Sequence, residues 1–166
     1  AYNQTSSAKR RGAGIACMFY GIGNTALSNP STMRIGLSNK GTLTLYNGAV
    51  DIGQGSNTIL TQIAADALGL PMKQFRIVMG DTDVTADAGK TSASRQTFVS
   101  GKAVELAGRD LRAKLLALLE ASANAALSLE GNLIKARDAQ GEHQYDLAWL
   151  PARHGTDVLQ GVGTFD

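Results

Sequence analysis

Ala49-Val50-Asp51-Ile52-Gly53-Gln54-Gly55-Ser56 and Thr91-Ser92-Ala93-Ser94-Arg95-Gln96 are two small-residue loops, each running directly into a helical pattern. Glycine lets a backbone turn through φ > 0 and approach a ligand closely. A helix start presents unpaired N–H groups and the positive end of the helix dipole, so an anion such as phosphate is the natural guest. Neither loop has the Gly-x-x-x-x-Gly-Lys-Ser/Thr or Gly-x-Gly-x-x-Gly spacing, so an ordinary ATP or dinucleotide site has no support.

Outward from these loops the periodicity predicts an α+β fold, a mixed β-sheet with two packed helices. Residues 12–23 form a near-continuous apolar run bounded by glycines and read as a buried strand, with Cys17 as a small core hydrophobe. Residues 24–30 read as a loop. Residues 32–38 and 42–47 alternate around Asn39-Lys40-Gly41 and predict a β-hairpin, and a further strand is expected to end at Asp51. Ser56 is placed to cap a helix to Leu68, closed by Gly69-Leu70-Pro71. A short strand over residues 75–79 leads into a loop over residues 80–90, rich in Gly, Asp, Thr and Ala. Apolar spacing of three and four predicts one long helix over residues 94–121. Residues 124–128 break it, residues 129–136 and 143–146 suggest a hairpin tipped by Gln140-Gly141, and residues 147–152 suggest a helical turn.

The 166 residues make one domain by length, and 43% apolar residues suffice for a core. A net charge of +2 without a basic stripe, and 5% aromatic residues, imply no nucleic-acid partner. No apolar run approaches a membrane span. A single cysteine suits a reducing compartment, so a cytoplasmic location is expected, with a periplasmic parent also compatible. Counting Asp81 as the first position of an EF-hand loop puts Ala86 where glycine is needed and Ser92 where a bidentate glutamate is needed, so calcium is not expected. Asp81, Asp83 and Asp87 are expected to cap loop N–H groups instead. His143 and His154 lack the partners of a zinc site and read as solvated polar residues.

Five pieces recur in one order: Gly14-Ile15-Ala16, the loop over residues 49–55, Gly80-Asp81-Thr82-Asp83, the loop over residues 91–96, and Ser100-Gly101-Lys102-Ala103-Val104. Over residues 12–120 this series resembles the molybdenum-cofactor-binding subunit of the xanthine dehydrogenase and aldehyde oxidoreductase family of molybdenum hydroxylases. Glu142-His143-Gln144-Tyr145-Asp146 and residues 160–166 match more loosely.

The resemblance implies a molybdopterin-binding-domain-like fold and a parent enzyme that oxidises an aldehyde or N-heterocycle with water as oxygen source. It implies molybdopterin, in plain or cytosine dinucleotide form, held by Gly53, Gln54, Gly55, Thr91, Ser92, Ala93, Ser94, Arg95 and Gln96, with no direct metal ligand from this chain. Gln54 would sit near the metal end, and the other reading is a glutamine satisfying its own turn. The N–H groups of Thr91, Ser92, Ala93 and Ser94 would take the phosphate and pyrimidine edge, against a plain serine N-cap. Arg95 would either neutralise phosphate or anchor its loop to Asp81, Asp83 or Asp87.

Iron–sulfur clusters and flavin would lie on other domains or subunits, and the partners would be the remainder of the molybdenum subunit with iron–sulfur and FAD subunits. The family's catalytic glutamate, in a Gly-Glu setting, has no counterpart here, so no catalytic residue is expected and the chain alone should not turn over. Residues 1–11 read as a polar lead and residues 12–166 as a single partial domain, an excerpt of a larger subunit. The rival class is a cofactor-free structural or interaction module of the same fold; a site for some other nucleotide is a third.

Overall fold

Apolar alternation along two short segments sets the sheet. The structure, a computed structural model, describes residues 4, 8–23, 26–153 and 155–166. Strands β1 (Ser31–Ser38) and β2 (Leu43–Asn47) form an antiparallel hairpin with Arg34 opposite Tyr46 and Leu37 opposite Leu43. Helix α1 (Ser56–Leu68) crosses over to β3 (Phe75–Met79), which pairs parallel to β2. It ends where predicted, at Gly69 in the left-handed region, whose N–H donates to Ala65 O at 2.8 Å.

Helix α2 (Gly101–Leu118) leads into a separate antiparallel sheet of β4 (Ala126–Glu130), β5 (Leu133–Asp138) and β6 (Gly141–Asp146). Strand β7 (Asp157–Phe165) returns antiparallel along β1, giving the order β3-β2-β1-β7. One parallel pairing among antiparallel ones makes this the mixed sheet expected from sequence.

The core is continuous between the four-stranded sheet, both helices and the second sheet. Met33, Ile35, Leu37, Leu43 and Leu45 bury fully with Leu60, Ala64, Leu68, Ala107, Leu111 and Leu115, and Leu127, Leu129, Ile134 and Ala136 join them. Helix α2 lies unusually close to β7. A Cβ at Gly161 would meet Ala107 O and, at 2.7 Å, Leu111 N; one at Gly163 would meet Ala103 O and, at 2.5 Å, Ala107 N. These neighbours are helix backbone and cannot rotate aside, so both positions need glycine.

Several boundaries depart from the sequence reading. Residues 12–22 are not a buried strand: they belong to no helix or strand and are exposed, with Ile15 and Phe19 each 95% exposed, and Cys17 is exposed rather than core. Apolar content identified a segment that wants cover, but no strand of either sheet pairs with it. No strand reaches Asp51; β2 stops at Asn47, whose Oδ1 accepts the Ala49 N–H at 2.8 Å and turns the chain out of the sheet. The long helix starts later than residue 94, because Ala93 and Ser94 sit at φ 51° and 55° and a π-turn (Gln96–Ser100) precedes α2. The break over residues 124–128 contains the first residues of β4, so the hairpin is a three-stranded meander. His154 falls outside the described residues. His143 lies 3.5 Å from Asp138, whose carboxyl is held down to about 2 chiefly by the Ser122 and Gln140 N–H groups.

The close approach of α2 and β7 generates a stability prediction. Gly161→Val should lower unfolding stability by about 1–3 kcal/mol, the usual cost of overpacking, whereas Gly14→Ala, with nothing within 4 Å, should leave it unchanged. Urea unfolding monitored by circular dichroism measures both.

Candidate functional site: a cleft between two loops

The first loop is held by a carboxylate that the sequence reading did not single out. Asp51 Oδ1 accepts the Gly53 N–H at 2.8 Å and the Gly55 N–H at 3.3 Å, and its Oδ2 accepts the Asn57 N–H at 3.1 Å. Asp51 therefore caps α1 from five residues ahead. Ser56 does not cap: it is the first helical residue, and Gly55, left-handed at φ 81°, occupies the N-cap position. The Asp-x-Gly-x-Gly spacing was the available signal, since an aspartate two residues before a glycine favours this turn. The hydrogen bonds hold the Asp51 carboxyl below its ordinary value, the Asn57 N–H contributing most and the Gly53 N–H next.

Gln54 closes the same turn. Its Oε1 accepts the Ile52 N–H at 2.7 Å, and its Nε2 donates to Val50 O and Ser56 Oγ, both at 3.1 Å. The amide thus satisfies its own loop, while Gly53 and Gly55 leave open space where a Cβ would stand.

The second loop is joined to the first at one atom. Thr91 Oγ1 donates to Val50 O at 3.0 Å, the carbonyl that also takes the Gln54 amide. Gln96 is buried; its Nε2 donates to Lys90 O at 2.9 Å, and its Oε1 accepts from Ser100 Oγ, which pairs at 2.8 Å with Ser31 Oγ on β1. A buried polar chain therefore runs from the sheet to the loop.

Arg95 anchors its loop, but through partners the sequence reading did not name. It is 1% exposed and donates to Ala88 O at 2.5 Å, Lys90 O at 3.1 Å, Asn29 O at 2.5 Å and Pro30 O at 3.2 Å. Its guanidinium anchors the loop to backbone carbonyls rather than to Asp81, Asp83 or Asp87 side chains. Burial lowers its pKa, and the charges of Asp87 and Asp166 oppose that shift. The expected aspartate turns form at two of the three positions: Asp81 accepts the Asp83 N–H at 3.1 Å and Asp87 the Gly89 N–H at 2.7 Å.

Ile52, Gln54 and Ser56 from one side and residues 91–97 from the other enclose a cavity of about 350 Å³. The sequence-predicted residues Gln54, Thr91, Ser92, Ala93, Ser94, Arg95 and Gln96 meet here; Ile52, Ser56 and Thr97 are additional walls. Ala93 and Ser94 take consecutive positive φ angles of 51° and 55°, a strained arrangement for non-glycine residues, in the loop that borders the cavity. Among the described residues, the N–H groups of Thr91, Ser92, Ala93 and Ser94 have no acceptor. Four N–H donors without an acceptor among the described residues and the hydroxyls of Ser92 and Ser94 suit a phosphate or pterin amide edge; Gly53 and Gly55 of the first loop are not among the residues lining the cavity. The described residues include no cluster of metal-ligating side chains, and none of their helices is long and apolar enough to cross a membrane.

Comparison with known proteins shows the family of the chain. The molybdopterin cofactor-binding domain family matches residues 1–164. The xanthine dehydrogenase molybdenum-binding subunit of Escherichia coli O157:H7 is 31% identical over 131 residues, covering 75% of this chain and 17% of that subunit. Xanthine dehydrogenase of Emericella nidulans is 33% identical over 127 residues, covering 76% of this chain and 9% of that protein. Among solved structures, CO dehydrogenase from Oligotropha carboxidovorans superimposes with a TM-score of 0.59 at 25% identity over 81% of this chain and 18% of its own. The chain belongs to the molybdopterin cofactor-binding domain family. It spans less than a fifth of each of these relatives.

The geometry of the first loop predicts a pH dependence. A carboxyl whose folded pKa lies below the ordinary 3.8 contributes order that is complete above that value and is lost as pH falls through the folded pKa. The Gly53 and Gly55 amide resonances should therefore stay dispersed down to 3.8 and collapse below it. In Asp51→Asn they should already lack protection at neutral pH and show no such transition.

Proposed function

We propose that this chain forms one wall of the cofactor site in a molybdenum-dependent oxidoreductase of the xanthine dehydrogenase and aldehyde oxidoreductase type. The observation that carries the proposal is the strained loop over residues 91–94, read as an anion-binding nest: it lines the same cavity as Gln54, and its N–H groups have no acceptor among the described residues. In the parent enzyme the molybdenum cofactor supplies the redox chemistry by which an aldehyde or N-heterocycle is hydroxylated with oxygen from water.

The residues of this chain bind and orient. Thr91, Ser92, Ala93 and Ser94 would receive the phosphate or pyrimidine edge through backbone N–H groups, which add no side-chain entropy cost and no net charge. Gly53 and Gly55 would admit the ligand against the backbone. Gln54 would offer its amide toward the metal end, exchanging hydrogen bonds now made within its own loop. Arg95 and Gln96 act from behind: one fixes residues 88–90, the other fixes Thr91, so the nest is preformed. The partners in this reading are the rest of the molybdenum subunit and the domains or subunits bearing iron–sulfur clusters and flavin.

Introducing an anion into the nest separates binding from folding. Ser94→Asp places a carboxylate beside the unpaired N–H groups, so the melting temperature should hold or rise while molybdenum content of the assembled enzyme falls at least about tenfold, a loss of about 1.4 kcal/mol in binding. Metal analysis and calorimetry on one preparation read both. Full molybdenum content in Ser94→Asp would remove the nest from the cofactor site.

A further inference from the structure

The lead segment, not the cleft, is the part of this molecule whose conformation lacks an internal cause. From residue 9 to residue 21 the chain runs without turn or bend. Ile15, Met18, Phe19, Tyr20 and Ile22 are 95%, 90%, 95%, 61% and 76% exposed. No backbone hydrogen bond within the described residues involves residues 12–22, and Gly12, Gly14 and Gly21 have nothing within 4 Å of a Cβ position. The segment is nevertheless tied down at its far end: the Gly23 N–H donates to Ala93 O at 2.6 Å, and Asn29 Nδ2 donates to Gly23 O at 3.3 Å. Ala93 is the left-handed residue at the centre of the nest.

Side chains alternate along a strand, so as a strand this segment would put Ile15, Cys17 and Phe19 on one face and Ala16, Met18, Tyr20 and Ile22 on the other. Both faces are apolar. Strands of this kind sit inside sheets that are covered on both sides, whereas strands with one wet face alternate with polar residues. Their unpaired N–H and C=O rows take a neighbouring strand edge by β-augmentation.

We infer that residues 14–22 are an interior β-strand donated to a sheet in the remainder of the molybdenum subunit, and that this strand and the cofactor nest are joined through the Gly23–Ala93 hydrogen bond. The inference rests on the proposed function for the existence of that remainder, and the relatives supply its scale: the matched part is 17% of the Escherichia coli subunit. A second copy of this chain fits the chemistry poorly. Two such segments paired edge to edge would form a two-stranded ribbon uncovered on both faces, leaving the same side chains in water. Covering both faces takes a layer on each side, which a larger body of the same subunit can provide. Pairing with β3 or β7, the two edges of the chain's own sheet, would be independent of any other polypeptide.

Hydrogen exchange read by mass spectrometry, on the 166-residue chain and on the assembled subunit with and without cofactor, distinguishes these cases. Amides of residues 14–22 should exchange freely in the chain alone and at least about 100-fold more slowly in the assembled subunit, as in a core strand. That slowing should be present whether or not cofactor is bound. Free exchange in both samples would overturn the inference. Protection in the chain alone would overturn it in favour of self-pairing if independent of concentration, and of a second copy if it grows with concentration. Phe19→Asp should remove the protection in the assembled subunit without altering the melting temperature of the chain alone; unchanged protection would also overturn the inference. Protection of residues 14–22 in an assembled subunit that fails to take up cofactor when it is supplied would sink the nest assignment and leave the strand assignment standing.

Discussion

A buried guanidinium organises the cleft. Arg95 gathers carbonyls from residues 29–30 and 88–90, segments that belong to neither sheet and have little apolar content to hold them. Four oriented carbonyl dipoles compensate the desolvation of the cation, and hydrogen bonds to a charged group are worth about 1.5–3 kcal/mol each. With residues 88–90 fixed, Gln96 can grip Lys90 O and Thr91, and Thr91 can reach Val50 O. The fixed course of residues 91–94 along the cavity is the consequence. A positive charge behind an anion site also favours the anion without contacting it.

The rest of the architecture serves to bring two loops to one place. The first loop leaves the sheet at the end of β2, and the second precedes α2, which is pressed against β7 by Gly161 and Gly163. Because α1 packs on α2 and both rest on the same sheet face, the starts of the two helical stretches converge on Val50 O. Ala93 and Ser94, two of the three non-glycine residues with positive φ among those described, lie at this convergence, as do Gly53 and Gly55. At Ala93 and Ser94 the positive φ carries a steric cost, and the surrounding hydrogen bonds maintain it.

Much of this was legible in the sequence, for identifiable reasons. Residues 32–47 alternate cleanly because one sheet face is covered and the other is not. The stripe of α1 and its Gly-Leu-Pro stop are local signals, and so were the glycines flanking Gln54. The part that was not legible is long-range. Arg95 carried a charge that suggested phosphate or aspartate, and nothing local says that four carbonyls would surround it. The start of α2 was misplaced because helical spacing continues back through residues 94–100, while the left-handed pair at Ala93 and Ser94 is imposed by the loop anchors. Residues 12–22 read as buried because apolar content reports a need for cover without saying which chain supplies it.

The central claim, that the two loops form one anion-binding cleft, is tested most directly by titrating the isotopically labelled 166-residue chain with inorganic phosphate and following amide resonances. The account predicts that the backbone amides of Thr91, Ser92, Ala93 and Ser94 and the side-chain amide of Gln54 shift along one common saturation curve. Shifts confined to another surface, or different curves for the two loops, would contradict it.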